Sequence, residues 1–249
     1  MDNFLNFKNK RILITGASGG IGYKTAILLD SFGAKLVLHS SKDENIKKLK
    51  KVFNSKRHLF LKVDFSKPDD IQLSFKKTLS NVKLDGYVNC VGVRSRRPLN
   101  LIKPTHTAQI FNTNVTSFIE IVRIITKKNQ FNPKLSIVSI SSISSVVGGS
   151  GVVAYAASKA AVDAAIRCLA KELYKKNIRI NSVIAGQIKT DAYNELIDLK
   201  TDKIDPILDR QYLGLGNTND VANVILFLLS EKSKFISGKS IPVDGGFLN

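Results

Sequence analysis

A short apolar run followed directly by a glycine-rich turn constrains the fold of this chain more than any other feature. Residues 11–14, Arg-Ile-Leu-Ile, have the pattern of a buried strand, and Gly16, Gly20 and Gly22 follow at once. Helical apolar spacing begins over residues 23–29. The order strand, glycine turn, helix is typical of a phosphate-binding site, because the unpaired amides at a helix start bind phosphate oxygens.

The rest of the chain alternates short apolar runs with helical periodicity, with no internal repeat and no low-complexity linker. This alternation predicts an α/β fold, namely a Rossmann-type doubly wound parallel sheet of about seven strands with helices on both faces. We expect residues 1–249 to form a single domain. The predicted strands are Arg11–Thr15, Lys35–His39, His58–Val63, Leu84–Asn89, Leu135–Ile140, Ile178–Ile184 and Lys239–Val243. The predicted helices are Gly20–Ser31, Asp43–Val52, Pro68–Leu79, Thr107–Lys127, Val153–Lys176 and Thr218–Leu229.

Tyr155 and Lys159 form the second informative feature, because they stand four residues apart within a predicted helix. Residues at this spacing share one face of the helix. An ammonium group close to a phenol favours its phenolate form, so such a pair is able to exchange a proton with the oxygen of an alcohol or a ketone. Taken alone, the same spacing more often marks a solvated surface pair.

Further motifs occur in a fixed order along the chain. The turn glycines are separated by three residues and then by one, and Ser142 stands thirteen residues before Tyr155. In combination, these motifs resemble those of the short-chain dehydrogenase/reductase family from Lys10 to Asn249. The resemblance rests on the glycine turn, Asn89, Gly92, Asn114, Ser142, Tyr155, Lys159 and Ile241–Gly246.

The resemblance implies catalytic roles for four residues. Tyr155 would donate a proton to the substrate oxygen, and Lys159 would assist it and bind the nicotinamide ribose. Ser142 would polarise the carbonyl, and Asn114 would position a water that links Lys159 to solvent. The interval to Tyr155 selects Ser142 among several serines, and the family's Asn-Val order selects Asn114 over Asn112. The competing serines are Ser139, Ser141, Ser144 and Ser145.

The same resemblance implies a nicotinamide dinucleotide as cofactor. The expected contacts are Gly16, Ser18, Gly20, Ile21, Gly22, Asp64, Phe65, Asn89, Gly92, Tyr155, Lys159, Gly186, Ile188 and Thr190. Asp64 and Phe65 match the pair that holds the adenine in the family. Asp64 is also compatible with a helix cap ahead of Pro68.

The end of the second predicted strand favours NADP over NAD. NAD-binding sheets usually place an acidic side chain there to bind the ribose hydroxyls, whereas this chain has Ser40, Ser41 and Lys42. Hydroxyl groups and a positive charge suit a 2′-phosphate. Against this preference, many NADP-using relatives carry a basic residue in the glycine turn, where this chain has Gly19.

Residues 187–216 are expected to cover the substrate. Apolar residues at helical spacing dominate this segment, namely Tyr193, Leu196, Ile197, Leu199, Ile204, Ile207, Leu208 and Tyr212. Two interpretations stay open: these residues pack the segment onto the body of the protein, or they line an apolar substrate channel.

Composition argues against several other classes of protein. No apolar run approaches the ~18 residues of a membrane span, and the chain begins without the pattern of a signal peptide. Cys90 and Cys168 lie in apolar surroundings, which predicts buried packing and a reducing compartment. The histidines His39, His58 and His106 lack metal-ligand spacing. We therefore expect a cytoplasmic protein without a metal site.

The net charge is +18, from 38 Lys+Arg against 20 Asp+Glu. The positive charges are dispersed without a basic tail, which favours a solvated lysine-rich surface over nucleic-acid binding. Arg94, Arg96 and Arg97 follow the fourth predicted strand, where they could border the mouth of the active site. An acidic protein partner or an anionic substrate would suit them.

Together these observations predict an NADP(H)-dependent oxidoreductase for a ketone and its secondary alcohol. The chain is most similar to 3-oxoacyl-[acyl-carrier-protein] reductases, whose acidic carrier would suit a basic mouth. One alternative is a reductase for a sugar, a sugar nucleotide or another small anionic carbonyl compound. A different alternative is a non-catalytic binding or regulatory protein on the same fold.

Relatives commonly form homotetramers through the helices that correspond to Thr107–Lys127 and Val153–Lys176. We therefore expect a tetramer, with an apolar helix face supplied by Phe111, Val115, Phe118, Ile119, Val122, Leu169 and Leu173.

Overall fold

One parallel sheet organises the part of the chain that the computed structural model describes, which is residues 5–190, Tyr193 and residues 210–249. The strands are β1 Arg11–Thr15, β2 Lys35–Ser40, β3 Leu59–Lys62, β4 Leu84–Asn89, β5 Phe131–Ser142, β6 Ile178–Ala185 and β7 Ser240–Val243. They pair in the order β3-β2-β1-β4-β5-β6-β7. Every pairing is parallel, so all carboxyl ends lie at one edge of the sheet.

Helices connect the strands and cover both faces of the sheet. They are α1 Gly20–Ser31, α2 Asp43–Val52, α3 Asp69–Leu79, α4 Pro104–Phe111, α5 Ser117–Ile125, α6 Ser144–Val147, α7 Val153–Leu173 and α8 Thr218–Leu229. A π-helical turn, Asn112–Thr116, joins α4 to α5. Pro104 starts α4 where a helix tolerates proline. Asn217 and Asp220 form a capping box at the start of α8.

Each face of the sheet packs against its own apolar layer. Ile14 of β1 and Leu29 of α1 belong to one layer, and Leu13 of β1 and Phe118 of α5 belong to the other. Successive strand residues point to opposite faces. Because both faces are covered, the strands have the nearly continuous apolar sequences of a parallel sheet.

The strand order reverses between β1 and β4, which creates a crevice at the carboxyl edge of the sheet. Thr15 at the end of β1 lies opposite Asn89 at the end of β4, and Asn89 lies opposite Ser139 of β5. In open α/β sheets such a crevice is where ligands bind. The fold therefore places the glycine turn beside the strand ends that carry the predicted catalytic residues.

The predicted fold class is confirmed, and β1, β4, α1, α2 and α8 have the predicted bounds. β5 is longer than predicted, because Phe131 pairs with Leu84 and because Ser141 and Ser142 continue the strand beside β6. The predicted helix Thr107–Lys127 begins earlier, at Pro104, and is interrupted by the π-helical turn.

The predicted burial of Cys168 is wrong. Cys168 is exposed, because Ile166 faces the core and a helix turns by roughly 200° over two residues. In the predicted subunit face, Phe118, Val122 and Leu173 are buried within the chain, so intramolecular packing accounts for part of that apolar pattern. Ile119 is 44% exposed.

Within the described ranges, no helix is long and apolar enough to cross a membrane. No cluster of three His, Cys, Asp or Glu side chains there could hold a metal ion. Six residues predicted to cover the substrate lie outside the described residues, namely Leu196, Ile197, Leu199, Ile204, Ile207 and Leu208.

Candidate active site

The glycine turn after β1 leaves no room for a side chain at Gly16 or at Gly22. Gly16 has a φ of +71°, and a Cβ on it would lie 2.9 Å from the carbonyl oxygen of Cys90. A Cβ on Gly22 would lie 2.2 Å from the carbonyl oxygen of Gly16. Gly19 caps α1 without a side-chain hydrogen bond, so the first amides of the helix remain for a ligand. This geometry fits the diphosphate of a dinucleotide.

Behind the turn, His39 at the end of β2 holds the backbone of Gly16. The Gly16 N–H donates to His39 Nδ1 over 3.2 Å, and His39 Nε2 lies 2.9 Å from the carbonyl oxygen of Val63. These contacts fit the neutral ring with its proton on Nε2. Burial lowers the pKa of His39 to about 4, although the Val63 carbonyl and Asp64 oppose the shift. No sequence motif pointed to this support of the turn.

Hydroxyl and amide groups cluster where β2 ends. Ser40 is buried, and its hydroxyl lies 3.3 Å from the hydroxyl of Ser18 in the glycine turn. Asn45 of α2 donates to the same Ser18 hydroxyl over 3.3 Å. Ser18 and Ser40, predicted as separate contacts, are therefore one hydrogen-bonded group.

Positive charge lies next to this group. Ser41 and Lys42 are exposed, and Lys62 of β3 forms an ion pair with Asp43. Asp43 is the first carboxylate after β2, so its charge is offset by Lys62. Neither Asn45 nor Lys62 was expected from sequence at this position.

Asp64 and Phe65 follow β3. Asp64 is exposed and accepts a hydrogen bond from the Ser66 N–H over 2.9 Å. The helix-cap interpretation of Asp64 is wrong, because Pro68 is the N-cap residue of α3. Phe65 is buried and stacks on His39 with ring centroids 4.1 Å apart. The adenine contacts of this pair stay a prediction.

Asn89 links three strands at the crevice. Thr15 Oγ1 donates to Asn89 Oδ1 over 2.9 Å, and Asn89 Nδ2 donates to Ser139 Oγ over 3.1 Å. Asn89 is 2% exposed. Both ends of its side chain are therefore used to hold β1, β4 and β5 in register, and its cofactor contact stays a prediction.

A cavity of about 400 Å³ opens where β4, β5 and β6 end. It brings together three of the four predicted catalytic residues and most of those expected near the nicotinamide. The predicted residues that line it are Ile21, Gly92, Ser142, Tyr155, Lys159, Gly186, Ile188 and Thr190. Asn89 and Asn114 do not line this cavity.

Lys159 is buried in the cavity wall. Its Nζ donates to the carbonyl oxygen of Ile140 over 2.8 Å and lies 5.9 Å from the ring centroid of Tyr155. A Cβ on Gly92 would lie 2.9 Å from the same Nζ. The absence of a side chain at Gly92 therefore leaves the space that the ammonium group occupies.

Asn114 lies in the π-helical turn and is 1% exposed. Its Oδ1 accepts from the Val93 N–H over 2.8 Å, and its Nδ2 donates to the Val93 carbonyl oxygen and to Ser158 Oγ. The side chain thus clamps the segment after β4 to α7. Its predicted contact with a water near Lys159 stays a prediction.

The structure separates the serines that crowd the end of β5. Ser139 bonds to Asn89, whereas Ser141 and Ser145 donate to Asp163 over 2.6 and 2.9 Å. Ser141, Ser142 and Ser144 all line the cavity, and Ser142 Oγ accepts from the Ser144 N–H over 3.2 Å. Since Oγ is the acceptor in that bond, the Ser142 hydroxyl hydrogen is available to a ligand oxygen.

Asp163 of α7 was not expected from sequence to support the site. It is 6% exposed and accepts hydrogen bonds from Ser141, Ser145 and Ser182. Ser240 Oγ lies 3.4 Å from the same carboxylate. Asp163 therefore ties α7 to β5, β6 and β7.

Gly186 lies at a close backbone approach after β6. A Cβ on it would lie 2.6 Å from Gln211 Oε1, which accepts a hydrogen bond from the Gln187 N–H. A Cβ on Gly20 would lie 3.3 Å from Thr190 Cγ2. The segment after β6 therefore faces the glycine turn across a narrow gap.

Three further side chains line the cavity. Arg94 and Arg96 were expected near its mouth, and both line it, whereas Arg97 does not. Tyr193 is 7% exposed and also lines the cavity, whereas Tyr212 is 73% exposed. Of these two tyrosines, Tyr193 alone supports the substrate-channel interpretation.

Comparisons with known proteins agree with this geometry. The family model described as enoyl-(acyl carrier protein) reductase matches residues 16–248. L-xylulose reductase of Caenorhabditis elegans is 32% identical over 246 residues, which is 98% of this chain and 98% of that protein. 3-oxoacyl-[acyl-carrier-protein] reductase of Thermotoga maritima is 31% identical over 251 residues, or 98% of this chain and 100% of that protein.

Two solved structures with bound nicotinamide cofactors are similar over nearly the whole chain. The structure of ElxO with NADP bound has a TM-score of 0.84 and 29% identity, covering 96% of this chain and 99% of that one. The structure of 4-hydroxyisoleucine dehydrogenase complexed with NADH has a TM-score of 0.88 and 25% identity, covering 96% and 98%.

Proposed function

We propose that this chain, which belongs to the short-chain dehydrogenase/reductase family of NAD(P)-dependent oxidoreductases, interconverts a ketone and a secondary alcohol with NADP(H). The observation that carries the proposal is the meeting of Ser142, Tyr155 and Lys159 in one cavity beside the glycine turn. Each supplies a polar group of the kind that carbonyl chemistry needs.

Residues around the cavity fit the cofactor. The glycine turn and the start of α1 would hold its diphosphate, and Gly186, Ile188 and Thr190 would hold its nicotinamide. The narrow gap between Gly20 and Thr190 supports this assignment. When bound, the nicotinamide gives or takes the hydride, whereas the chain positions the substrate and moves the proton.

Tyr155 is the proton donor in reduction and the acceptor in oxidation. Lys159 Nζ lies 5.9 Å from the Tyr155 ring centroid. This cation stabilises negative charge on the phenol oxygen while the proton is transferred. Lys159 is held in place by its hydrogen bond to Ile140, which leaves its other N–H groups for the ribose and the phenol.

Ser142 binds the substrate oxygen. Its hydroxyl accepts from the Ser144 N–H and so points its own hydrogen elsewhere. A fixed donor at an oxygen that gains charge contributes about 10²–10³ in rate. Asn114 acts indirectly in this scheme, because it clamps α7 to the segment after β4.

The end of β2 supports NADP as the cofactor. Ser40, Ser41 and Lys42 offer hydroxyl donors and a cation to a 2′-phosphate. Asp43, which would repel that phosphate, is paired with Lys62. Asp64 and Phe65 would then hold the adenine, with Phe65 contributing its backbone, since its ring is buried.

Two substrate classes are proposed. The first is a 3-oxoacyl group on an acyl carrier protein, because 3-oxoacyl-[acyl-carrier-protein] reductases are among the relatives and the chain is strongly basic. The second is a small anionic carbonyl compound such as a sugar derivative, and the presence of Arg94 and Arg96 in the cavity favours it. For either substrate we propose that the protein acts as a homotetramer, the assembly that the family resemblance implies.

An assay of NADPH oxidation tests the proposal. Purified protein is offered a carrier-bound 3-oxoacyl thioester, a carrier-free thioester of the same acyl group, and panels of keto-sugars and short keto acids. We expect turnover of at least one class. NADPH binding without oxidation by any carbonyl compound would contradict the proposal and would favour a non-catalytic binding protein.

A further inference from the structure

The segment after β4 places two exposed arginines along the lining of the cavity. Arg94 and Arg96 line it together with Ser142, Tyr155 and Lys159. The guanidinium carbon of Arg94 lies 5.9 Å from the ring centroid of Tyr155. Arg94 is therefore next to the proton donor.

Backbone contacts on both sides fix this segment. Before Arg94, Val93 exchanges hydrogen bonds with the Asn114 side chain over 2.8 and 3.1 Å. After Arg96, the Arg97 N–H donates to the carbonyl oxygen of Gly151 over 2.7 Å. The segment is thus tied to the π-helical turn and to the loop before α7.

The stem of Arg96 is held by packing. A Cβ on Gly151 would lie 3.1 Å from Arg96 Cγ, so the aliphatic part of the arginine runs directly over this glycine. Gly151 has a φ of +76°, which disfavours any other residue. Because Gly151 has no side chain, the stem of Arg96 packs against its backbone, and this contact fixes the direction of the Arg96 side chain.

Among the described residues, neither arginine has an ion-pair partner. Elsewhere in those residues, arginines do pair with carboxylates, as Arg57 does with Asp30 and Arg123 does with Glu120. The described lining of the cavity contains Arg94, Arg96 and Lys159 but no Asp or Glu. No carboxylate among the described residues therefore neutralises the positive charge of the cavity lining.

Guanidinium groups bind planar or tetrahedral oxyanions through paired N–H donors. We propose that Arg94 and Arg96 bind a carboxylate or phosphate that the substrate itself carries near its carbonyl carbon. The inference rests on the proposed carbonyl chemistry at Tyr155. It identifies the substrate as a short oxo acid or oxo phosphate, held by short-range contacts rather than drawn in by the overall charge of the surface.

The test uses matched carbonyl compounds with NADPH. Acetoacetate is compared with its neutral methyl ester, and dihydroxyacetone phosphate with dihydroxyacetone. We first identify which anionic compound, acetoacetate or dihydroxyacetone phosphate, the wild type reduces more efficiently. In the R94Q/R96Q double variant we expect KM for that compound to rise at least tenfold. KM for its neutral partner should change less than twofold. A rise in KM for acetoacetate indicates that the arginines bind a carboxylate, and a rise in KM for dihydroxyacetone phosphate indicates that they bind a phosphate.

Arg97→Gln is the matched control, since Arg97 is exposed like Arg94 and Arg96 but does not line the cavity. It should leave both KM values within twofold of wild type. Equal effects on anionic and neutral compounds would overturn the proposal. So would an effect confined to a carrier-bound 3-oxoacyl thioester and abolished by added salt, because that result indicates long-range steering.

A binding measurement separates this inference from the proposed activity. Malonate and inorganic phosphate are titrated by calorimetry into the wild type and both variants in the presence of NADPH. We expect at least tenfold weaker binding in R94Q/R96Q and unchanged binding in Arg97→Gln. Absence of anion binding by the wild type overturns the inference even if a neutral ketone is reduced. If the wild type binds the anions but turns over no carbonyl compound, the inferred anion site is supported and the proposed function is refuted.

Discussion

The Asp163 carboxylate accepts a 2.6 Å hydrogen bond from Ser141 Oγ, the residue directly before Ser142. Asp163 stands one helical turn after Lys159 on α7. The same carboxylate accepts from Ser145 and Ser182 over 2.9 and 2.7 Å. A buried carboxylate with several hydroxyl donors therefore sets the position of the catalytic helix relative to the strand end that carries Ser142.

We expect Asp163→Ala to lower the free energy of unfolding by on the order of 3 kcal/mol, because three hydroxyls lose their acceptor. Asp163→Asn keeps one acceptor oxygen and should lower the free energy of unfolding by less. Ser240→Ala removes a 3.4 Å contact with the carboxylate and a 2.8 Å hydrogen bond with Ser182, and it should lower the free energy of unfolding less than Asp163→Ala does. Urea unfolding of the variants measures these differences. Wild-type stability in Asp163→Ala would show that the network does not hold the site.

The buried His39 predicts a pH dependence of stability. Its pKa is about 4 in the folded chain and near 6.5 in the unfolded chain, so between these values only the unfolded state binds the proton. Stability should therefore fall as the pH drops from about 6.5 towards 4, with a loss of about 2 kcal/mol by pH 5. The Gly16 N–H would also lose its acceptor on protonation of the ring.

Urea unfolding at pH 7 and pH 5 tests this prediction in the wild type and in His39→Gln. The variant should lose less stability on acidification. Burial also lowers the pKa of His58, but His58 is present in both proteins and cancels in the difference. Parallel losses in the two proteins would mean that His39 does not contribute.

Cofactor choice should depend on the charge at the end of β2. NADPH is expected to bind at least tenfold more tightly than NADH, a difference of about 1.4 kcal/mol. Lys42→Asp should narrow or reverse this preference, because a carboxylate there repels the 2′-phosphate and binds ribose hydroxyls. Fluorescence titration measures both affinities. Lys48→Asp, the same charge change at an exposed residue of α2, is the control. Equal affinities of the wild type for NADPH and NADH would refute the assignment.

Assembly should depend on the exposed face of α5. Light scattering is expected to report a tetramer for the wild type and a smaller species for Ile119→Glu, because a charge would be buried at the subunit contact. Leu73→Glu introduces the same charge at a residue of α3 that is 59% exposed. That variant should remain tetrameric. A monomeric wild type, or equal effects of the two variants, would exclude this interface.

The ends of β1 and β4 were predictable because an apolar run stops at a polar or glycine residue that begins a turn. β5 was predicted too short because Ser141 and Ser142 look like the start of a loop. Its extension depends on backbone pairing with β6, which joins Ser141 to Ile184, a residue far from it in the sequence. Local patterns carry no information about such a partner.

In the candidate site, too, local patterns predicted some features, whereas contacts between distant residues determined others. Motif spacing predicted that Ser142, Tyr155 and Lys159 would lie together, and they line one cavity. It did not predict that Asn114 would lie in a π-helical turn and accept a hydrogen bond from Val93, since no local sequence pattern marks a π-helical turn. The support of the glycine turn by His39 also depends on pairing between β1, β2 and β3 rather than on a motif.

Turnover by a Tyr155→Phe variant tests the central claim most directly. The substitution removes the phenol oxygen and leaves a ring that fills nearly the same space, so the fold and NADPH affinity should be those of the wild type. The rate of NADPH oxidation with the best carbonyl substrate should fall at least a hundredfold, because the proton donor is lost. A variant that keeps a tenth or more of the wild-type rate would show that Tyr155 is not the catalytic acid.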